Sequence, residues 1–272
     1  MDESGTRTRQ LAADLVAEQD QLDRIVAGLT PAQWSLATSS PGWSVADQVG
    51  HLAYFDRTAR LAIDEPERFV EERTGLLAVM QDDPDGTAMD AATLTAARAM
   101  TPAELLTDWR TGRAELAEAA TSLTDDARVP WYGPSMGARS FLTARLMECW
   151  AHGQDVVDVI GVMRPATDRL VHIAQLGVIT RGWSYTIRRS EMPAVDIRVQ
   201  LDLPGGGQRV WGPEDAAEVV FGPVEDFCLV VTQRRHPDDT ELSMTGPAAR
   251  DWLLIAQAFA GRATVGPPPA GI

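Results

Sequence analysis

Apolar residues recur at helical spacing along most of the first 190 positions of this 272-residue chain, and that period commits its N-terminal part to packed helices. Leu11, Leu15, Leu22, Ile25, Val26 and Leu29 form one such stripe, which stops at Thr30-Pro31. Ser44 is a good N-cap with Asp47 at the third helical position, and Val45, Val49, Leu52 and Phe55 then give a second helix, the one that carries His51. An acidic, Gly/Pro-punctuated stretch from Asp64 to Gly86 is expected to hold a short helix from about Arg68 to Met80. Thr101-Pro102-Ala103-Glu104 combines an N-cap, a first-turn proline and a capping box, which predicts a helix to about Leu123. After the loop Val129 to Gly137, helical patterns run from Ser140 to Ile160 and from Thr167 to Arg188.

Past Pro193 the period changes. Val195 to Leu203 alternates, Pro204 to Gly207 turns, and Arg209-Val210-Trp211, Ala217 to Phe221 and Phe227 to Thr232 read as further short strands. A helix from Pro247 to Ala260 follows, and the tail Gly266 to Ala270 is expected to fray. The fold class predicted is α+β.

Composition excludes several functions. All 24 basic residues are arginine, so Schiff-base chemistry and the lysines of Walker and kinase sites are absent. A formal charge of -15 disfavours nucleic acid and anionic membrane as partners. The start MDESGTRTRQ lacks an apolar leader core, and no stretch approaches the roughly 20 apolar residues of a membrane span, so a cytoplasmic protein is expected. Cys149 and Cys228 stand in no metal or redox spacing and read as small core residues.

One helix carries a chemically useful pattern. Glu148 and His152 are four residues apart and project from one face, the spacing with which two side chains grip one ion. Asp155, three further on, shares that face as a fourth ligand or as a residue orienting His152. Glu148 and His152 alone also read as a solvated acid–base pair, and His51 as a hydrogen-bonded core histidine. Tyr54 shares the face of His51. His172 and His236 read as solvated, and Trp34, Trp43, Trp150 and Trp183 as core or pocket wall.

Two segments carry a family resemblance. Pro41-Gly-Trp-Ser-Val-Ala-Asp-Gln-Val-Gly-His51-Leu-Ala53 resembles the first signature of the DinB-like superfamily, in the branch of mycothiol-dependent maleylpyruvate isomerases. Arg145-Leu-Met-Glu148-Cys-Trp-Ala-His152-Gly-Gln-Asp155-Val156 resembles the second, in the right order along the chain. The resemblance spans nearly the whole chain. It implies an up-down four-helix-type bundle over residues 1–190 that holds zinc or another divalent ion through His51, Glu148 and His152. It implies next a small α+β, sterol-carrier-like domain over 191–265, with its turn at Gly205 to Gly207 and a strand ending near Gln233-Arg234-Arg235. An arginine of that domain, Arg234 or Arg235, is implied to assist substrate carboxylates.

Two histidines and one carboxylate leave positions open on an ion, the arrangement of a catalytic site. The same ligand set suits iron, nickel or manganese, with zinc the first choice. The expected function is therefore a divalent-metal-dependent isomerase or thiol transferase, with a small-molecule substrate, a mycothiol-like low-molecular-weight thiol as partner, and a monomeric or homodimeric state. Two other classes stay open: a non-catalytic binder of a small ligand, and a hydrolase using metal-activated water.

Overall fold

The structure, a computed structural model, describes residues 6–81, 83 and 86–271. It divides into two compact units, Met1–Met163 and Arg164–Ile272. The sequence pattern changes later, near 191, because the helices that follow Arg164 pack within the second unit.

In the first unit, helices α1 (Thr6–Val26), α3 (Val45–Asp64), α6 (Pro102–Ala120) and α7 (Ala138–Ile160) form the bundle. α3 packs on α6 and α7, and α1 packs on the same two helices. A short α2 (Pro31–Trp34), then α4 (Pro66–Gln81) and α5 (Thr87–Arg98), complete the helices, and β1 (Arg128–Val129) pairs antiparallel with β2 (Met136–Gly137) ahead of α7. The predicted starts hold: Ser44 and Asp47 form a capping box on α3, and Thr101 and Glu104 one on α6. α7 closes on Gly161 at φ 71, a left-handed C-cap that glycine adopts without strain.

The stripes meet in a core of Leu22, Val26, Val45, Val49, Leu52, Leu105, Trp109 and Val156. Below it lies a polar centre. Asp56 of α3 pairs with Arg145 of α7 at 2.8 Å, each side chain only 3% exposed. Its other oxygen accepts from Gln19 of α1 at 3.0 Å and from the Trp109 indole of α6 at 3.1 Å. Helix α5 was not predicted. It lies against α3 at Gly50, where a Cβ would stand 2.7 Å from that of Ala97, so the close approach depends on glycine.

In the second unit, α8 (Leu170–Ile179) and α9 (Arg181–Thr186) replace the single helix expected from Thr167 to Arg188. Four strands follow in the spatial order β4 (Gln208–Trp211), β3 (Ile197–Asp202), β5 (Glu218–Pro223), β6 (Ser243–Thr245), with β3 and β5 parallel and the outer pairs antiparallel. The strand expected from Phe227 to Thr232 is instead part of α10 (Val224–Val231). An uninterrupted apolar run does not distinguish a buried strand from a buried helix. Here Pro223 at the N-cap and Glu225 and Asp226 in the first turn set the helix, which buries Val224 and all of Phe227 to Val231. The sequence expected to end a strand at Gln233-Arg234-Arg235 therefore follows a helix, and α11 (Pro247–Ile255) stops short of Ala260.

The Asp56–Arg145 pair yields a stability prediction. Arg145→Leu leaves Asp56 as an unpaired buried carboxylate and is expected to cost about 3–5 kcal/mol in urea unfolding, whereas Asp56→Leu with Arg145→Leu recovers most of the loss. A cost below about 1 kcal/mol for the single variant would mean that the pair does not hold the bundle.

Candidate metal centre

His51 leaves the middle of α3 and meets two residues one turn apart on α7. The Nε2 atom of His51 is 3.5 Å from Glu148 Oε2, and Nε2 of His152 is 3.1 Å from the same oxygen. The two imidazoles lie with centroids 4.3 Å apart. One ligand atom from each of the three residues falls within a mutual 4.8 Å, and among the described residues this is the group of histidine, cysteine and acidic side chains so gathered. Two nitrogens and a carboxylate oxygen converging on one point fit a divalent ion of the zinc type. The side chains of His51, Glu148 and His152 are 17%, 26% and 12% exposed, so none of the three is sealed in the core.

Around this point the walls are aromatic. Trp43 lies 5.1 Å from the ring of His51 and 5.8 Å from that of His152, and Phe55 lies 4.5 Å from His51 on the other side. Trp43 is held from α5, where Asp90 accepts its indole N–H at 2.8 Å. Arg98 of the same helix binds Asp47 at 2.7 Å. Beyond Phe55 stand Tyr132 and Trp131 from the β1–β2 connection, the latter stacked on Phe69 of α4. Burial raises the Tyr54 and Tyr132 phenols, which also hydrogen-bond each other, so both are neutral at physiological pH.

Electrostatics favour a cation. Burial lowers the His51 imidazole to about 4; the charge of His152 pushes the same way, and the hydrogen bond and charge of Glu148 oppose it. Burial works against the Glu148 carboxylate, but hydrogen bonds from His152 and His51, together with their charges, outweigh it and hold the carboxyl well below its usual range. The metal-free site thus presents a neutral His51 and an ionised Glu148 at neutral pH.

Asp155 lies on the Nδ1 side of His152, at 3.9 Å, away from the convergent Nε2 atoms. Its oxygens accept from the Ser39 hydroxyl at 3.1 Å and the Ser40 hydroxyl at 3.4 Å. Gln48, which sequence reasoning passed over, takes Nδ1 of His152 at 2.5 Å. Its position three residues before His51, on the same helix face, was the available signal. Arg234 and Arg235 follow α10 in the second unit. Arg234 donates to the Thr232 carbonyl at 2.7 Å and Arg235 to the Arg234 carbonyl at 2.8 Å, and Arg235 lines a cavity of about 310 Å³ with His236, Leu253 and Val265. His236 accepts the Asp238 amide on Nδ1 at 3.1 Å. Trp34 and Trp150 are buried, whereas Trp183, expected in the core or a pocket wall, is 40% exposed. Cys149 and Cys228 are buried thiols. Among the described residues, no helix is long and apolar enough to cross a membrane.

Residues 15–157 match the family model of the mycothiol maleylpyruvate isomerase N-terminal domain. Two proteins named as uncharacterized, from two strains of Mycobacterium tuberculosis, are each 47% identical over 249 residues, 92% of this chain and 95% of theirs. Crystal structures of the mycothiol-dependent maleylpyruvate isomerase and of a mutant of it match with a TM-score of 0.57 and 15% identity, over 89% of this chain and 95% of theirs. At that identity the likeness is one of fold.

The geometry makes two measurable statements. Elemental analysis after zinc loading should find stoichiometric metal in the wild type and none in His51→Ala; undiminished metal in the variant would remove His51 from the site. In the metal-free protein, the His51 ring protons should stay unshifted through the ordinary histidine range near 6.5 and move only as pH falls towards 4, because the folded state binds the proton less tightly than the unfolded chain.

Proposed function

Because this chain belongs to the mycothiol maleylpyruvate isomerase N-terminal domain family, we propose that it is a divalent-metal-dependent enzyme using a mycothiol-like thiol on a small molecule. The observation that carries the reading is the convergence of Nε2 of His51 and Nε2 of His152 on Oε2 of Glu148. A divalent ion held by these residues, zinc before iron, nickel or manganese, lowers the pKa of a bound thiol and so supplies a thiolate near neutral pH.

The chain's own residues do the rest. His51 is neutral at neutral pH and so sets no charge of its own against a cation, and Glu148 contributes the one negative charge among the three ligands. Trp43 and Phe55 flank the His51 ring and exclude water from its faces, which strengthens electrostatic interactions at the open side. Asp155 acts on the orientation of His152 from its Nδ1 side. Arg234 or Arg235 is proposed to receive a substrate carboxylate, the bidentate task for which a guanidinium is suited.

Such a thiolate would supply the nucleophile for reversible addition to a conjugated carbon–carbon double bond, whose electron pair would pass to the conjugated carbonyl and return on elimination, so that cis–trans isomerisation leaves all atoms unchanged. It would equally supply the nucleophile for a transfer in which the leaving group departs with its bonding pair. Both begin with the same activated sulfur.

Cobalt substitution separates this reading from a site that takes no thiol. Mycothiol added to the cobalt-loaded protein should produce a sulfur-to-metal charge-transfer band, absent in His51→Ala. No spectral change with mycothiol or with glutathione would overturn the thiol-dependent reading.

A further inference from the structure

Resting on the metal-site reading above, we propose that Gln48 is a positioning residue: through the hydroxyls of Thr38 and Ser40 it fixes Nδ1 of His152 as a proton donor, so that Nε2, which meets Glu148 Oε2 at 3.1 Å, is the nitrogen an ion would take.

A proton inventory carries the case. A hydroxyl has one proton to donate and lone pairs to accept with. Thr38 spends its proton on the Trp43 carbonyl at 3.0 Å. Ser40 directs its own towards Asp155 Oδ2 at 3.4 Å. Both oxygens therefore meet Gln48 as acceptors, and its amide nitrogen donates to them at 2.8 Å and 3.0 Å. The two N–H bonds of that amide are then used, one on each hydroxyl. Turning the amide over would aim its oxygen at two hydroxyls with no proton left to give, and buried Gln48 has no solvent to make good the loss. Its Oε1 consequently faces His152, and an amide oxygen only accepts, so Nδ1 at 2.5 Å must carry the proton.

The relay runs from Asp155 through Ser40 and Gln48 to His152. The Asp155 carboxylate influences the ring from 3.9 Å without bonding it directly, through the hydroxyl that accepts from Gln48. Fixing one ring nitrogen by a hydrogen bond to the other is how a ligating imidazole is held to one tautomer and one orientation.

The test reads the ring nitrogens directly. Nitrogen-15 histidine spectra of the wild type, metal-free and zinc-loaded, should show His152 protonated at Nδ1 with slow exchange. In Gln48→Leu that proton should exchange rapidly, and zinc affinity should fall about 10- to 100-fold. Gln48→Glu, which restores an acceptor oxygen, should return the Nδ1 proton signal. Should Gln48→Leu fail to fold, Thr38→Val with Ser40→Ala removes the acceptors that orient the amide, at two loop positions, and should likewise speed exchange of the Nδ1 proton. An unchanged Nδ1 signal and unchanged zinc affinity in the variant that folds would overturn the proposal. A wild type that shows the fixed Nδ1 proton yet takes up no zinc would overturn the metal-dependent reading and leave the role of Gln48 supported.

Discussion

Asp56 is the point on which the first unit turns. A carboxylate buried to this degree is costly unless its lone pairs are filled, and here the partners come from three other helices: Gln19 from α1, Trp109 from α6 and Arg145 from α7. Apolar stripes tolerate sliding, because one leucine serves nearly as well as the next. An ion pair with two further hydrogen bonds does not. A slip of one turn, about 5.4 Å along α7, would strand both charges in the core. Buried ion pairs are weak evidence for net stability but good evidence for a fixed register.

That register reaches the candidate metal centre. Asp56 stands five residues beyond His51 on α3, and Arg145 three residues before Glu148 on α7, so the pair and the three converging side chains occupy successive levels between the same two helices. The charge of Arg145 is felt at His51, adding to the pressure that keeps the imidazole neutral. The larger part of that pressure is the burial of His51 itself.

Local chemistry made much of this legible. Capping boxes at Ser44 and Thr101 located the starts of α3 and α6, and i, i+4 spacing put Glu148 and His152 on one face. His51 was reachable only through its resemblance to a family signature, because nothing in a single helix says which partner helix it faces. Helix α5 left no signal: of Thr87 to Arg98 only Thr93 and Leu94 are buried, too few to make a stripe. With it went the support for Trp43, whose indole depends on Asp90. The second unit failed in the opposite sense, since the polar residues of α10 are confined to its first turn, Glu225 and Asp226, and the apolar run Phe227 to Val231 after them is buried without interruption. Gln48 was missed because a polar residue on a helix reads as solvated, whereas this one is fully buried.

The site is supported differently on its two helices. On α3, His51 is wedged between Trp43 and Phe55, and packing leaves its ring little freedom. On α7, His152 is held by hydrogen bonding, in a chain that passes through the loop preceding α3. That loop is itself closed by the Ala37–Ser44 bridge and by the Thr38 amide on the Trp43 carbonyl at 2.8 Å. Thr38, Ser39, Ser40 and Trp43 thus serve both histidines at once: their polar groups steer one ring and their aromatic neighbour confines the other. Side chains brought together from two helices need such a shared element, because helix packing fixes backbone distance to within a side-chain rotation while holding one ion would demand that the nitrogen lone pairs converge. The loop before α3 supplies the rotation that the bundle leaves open.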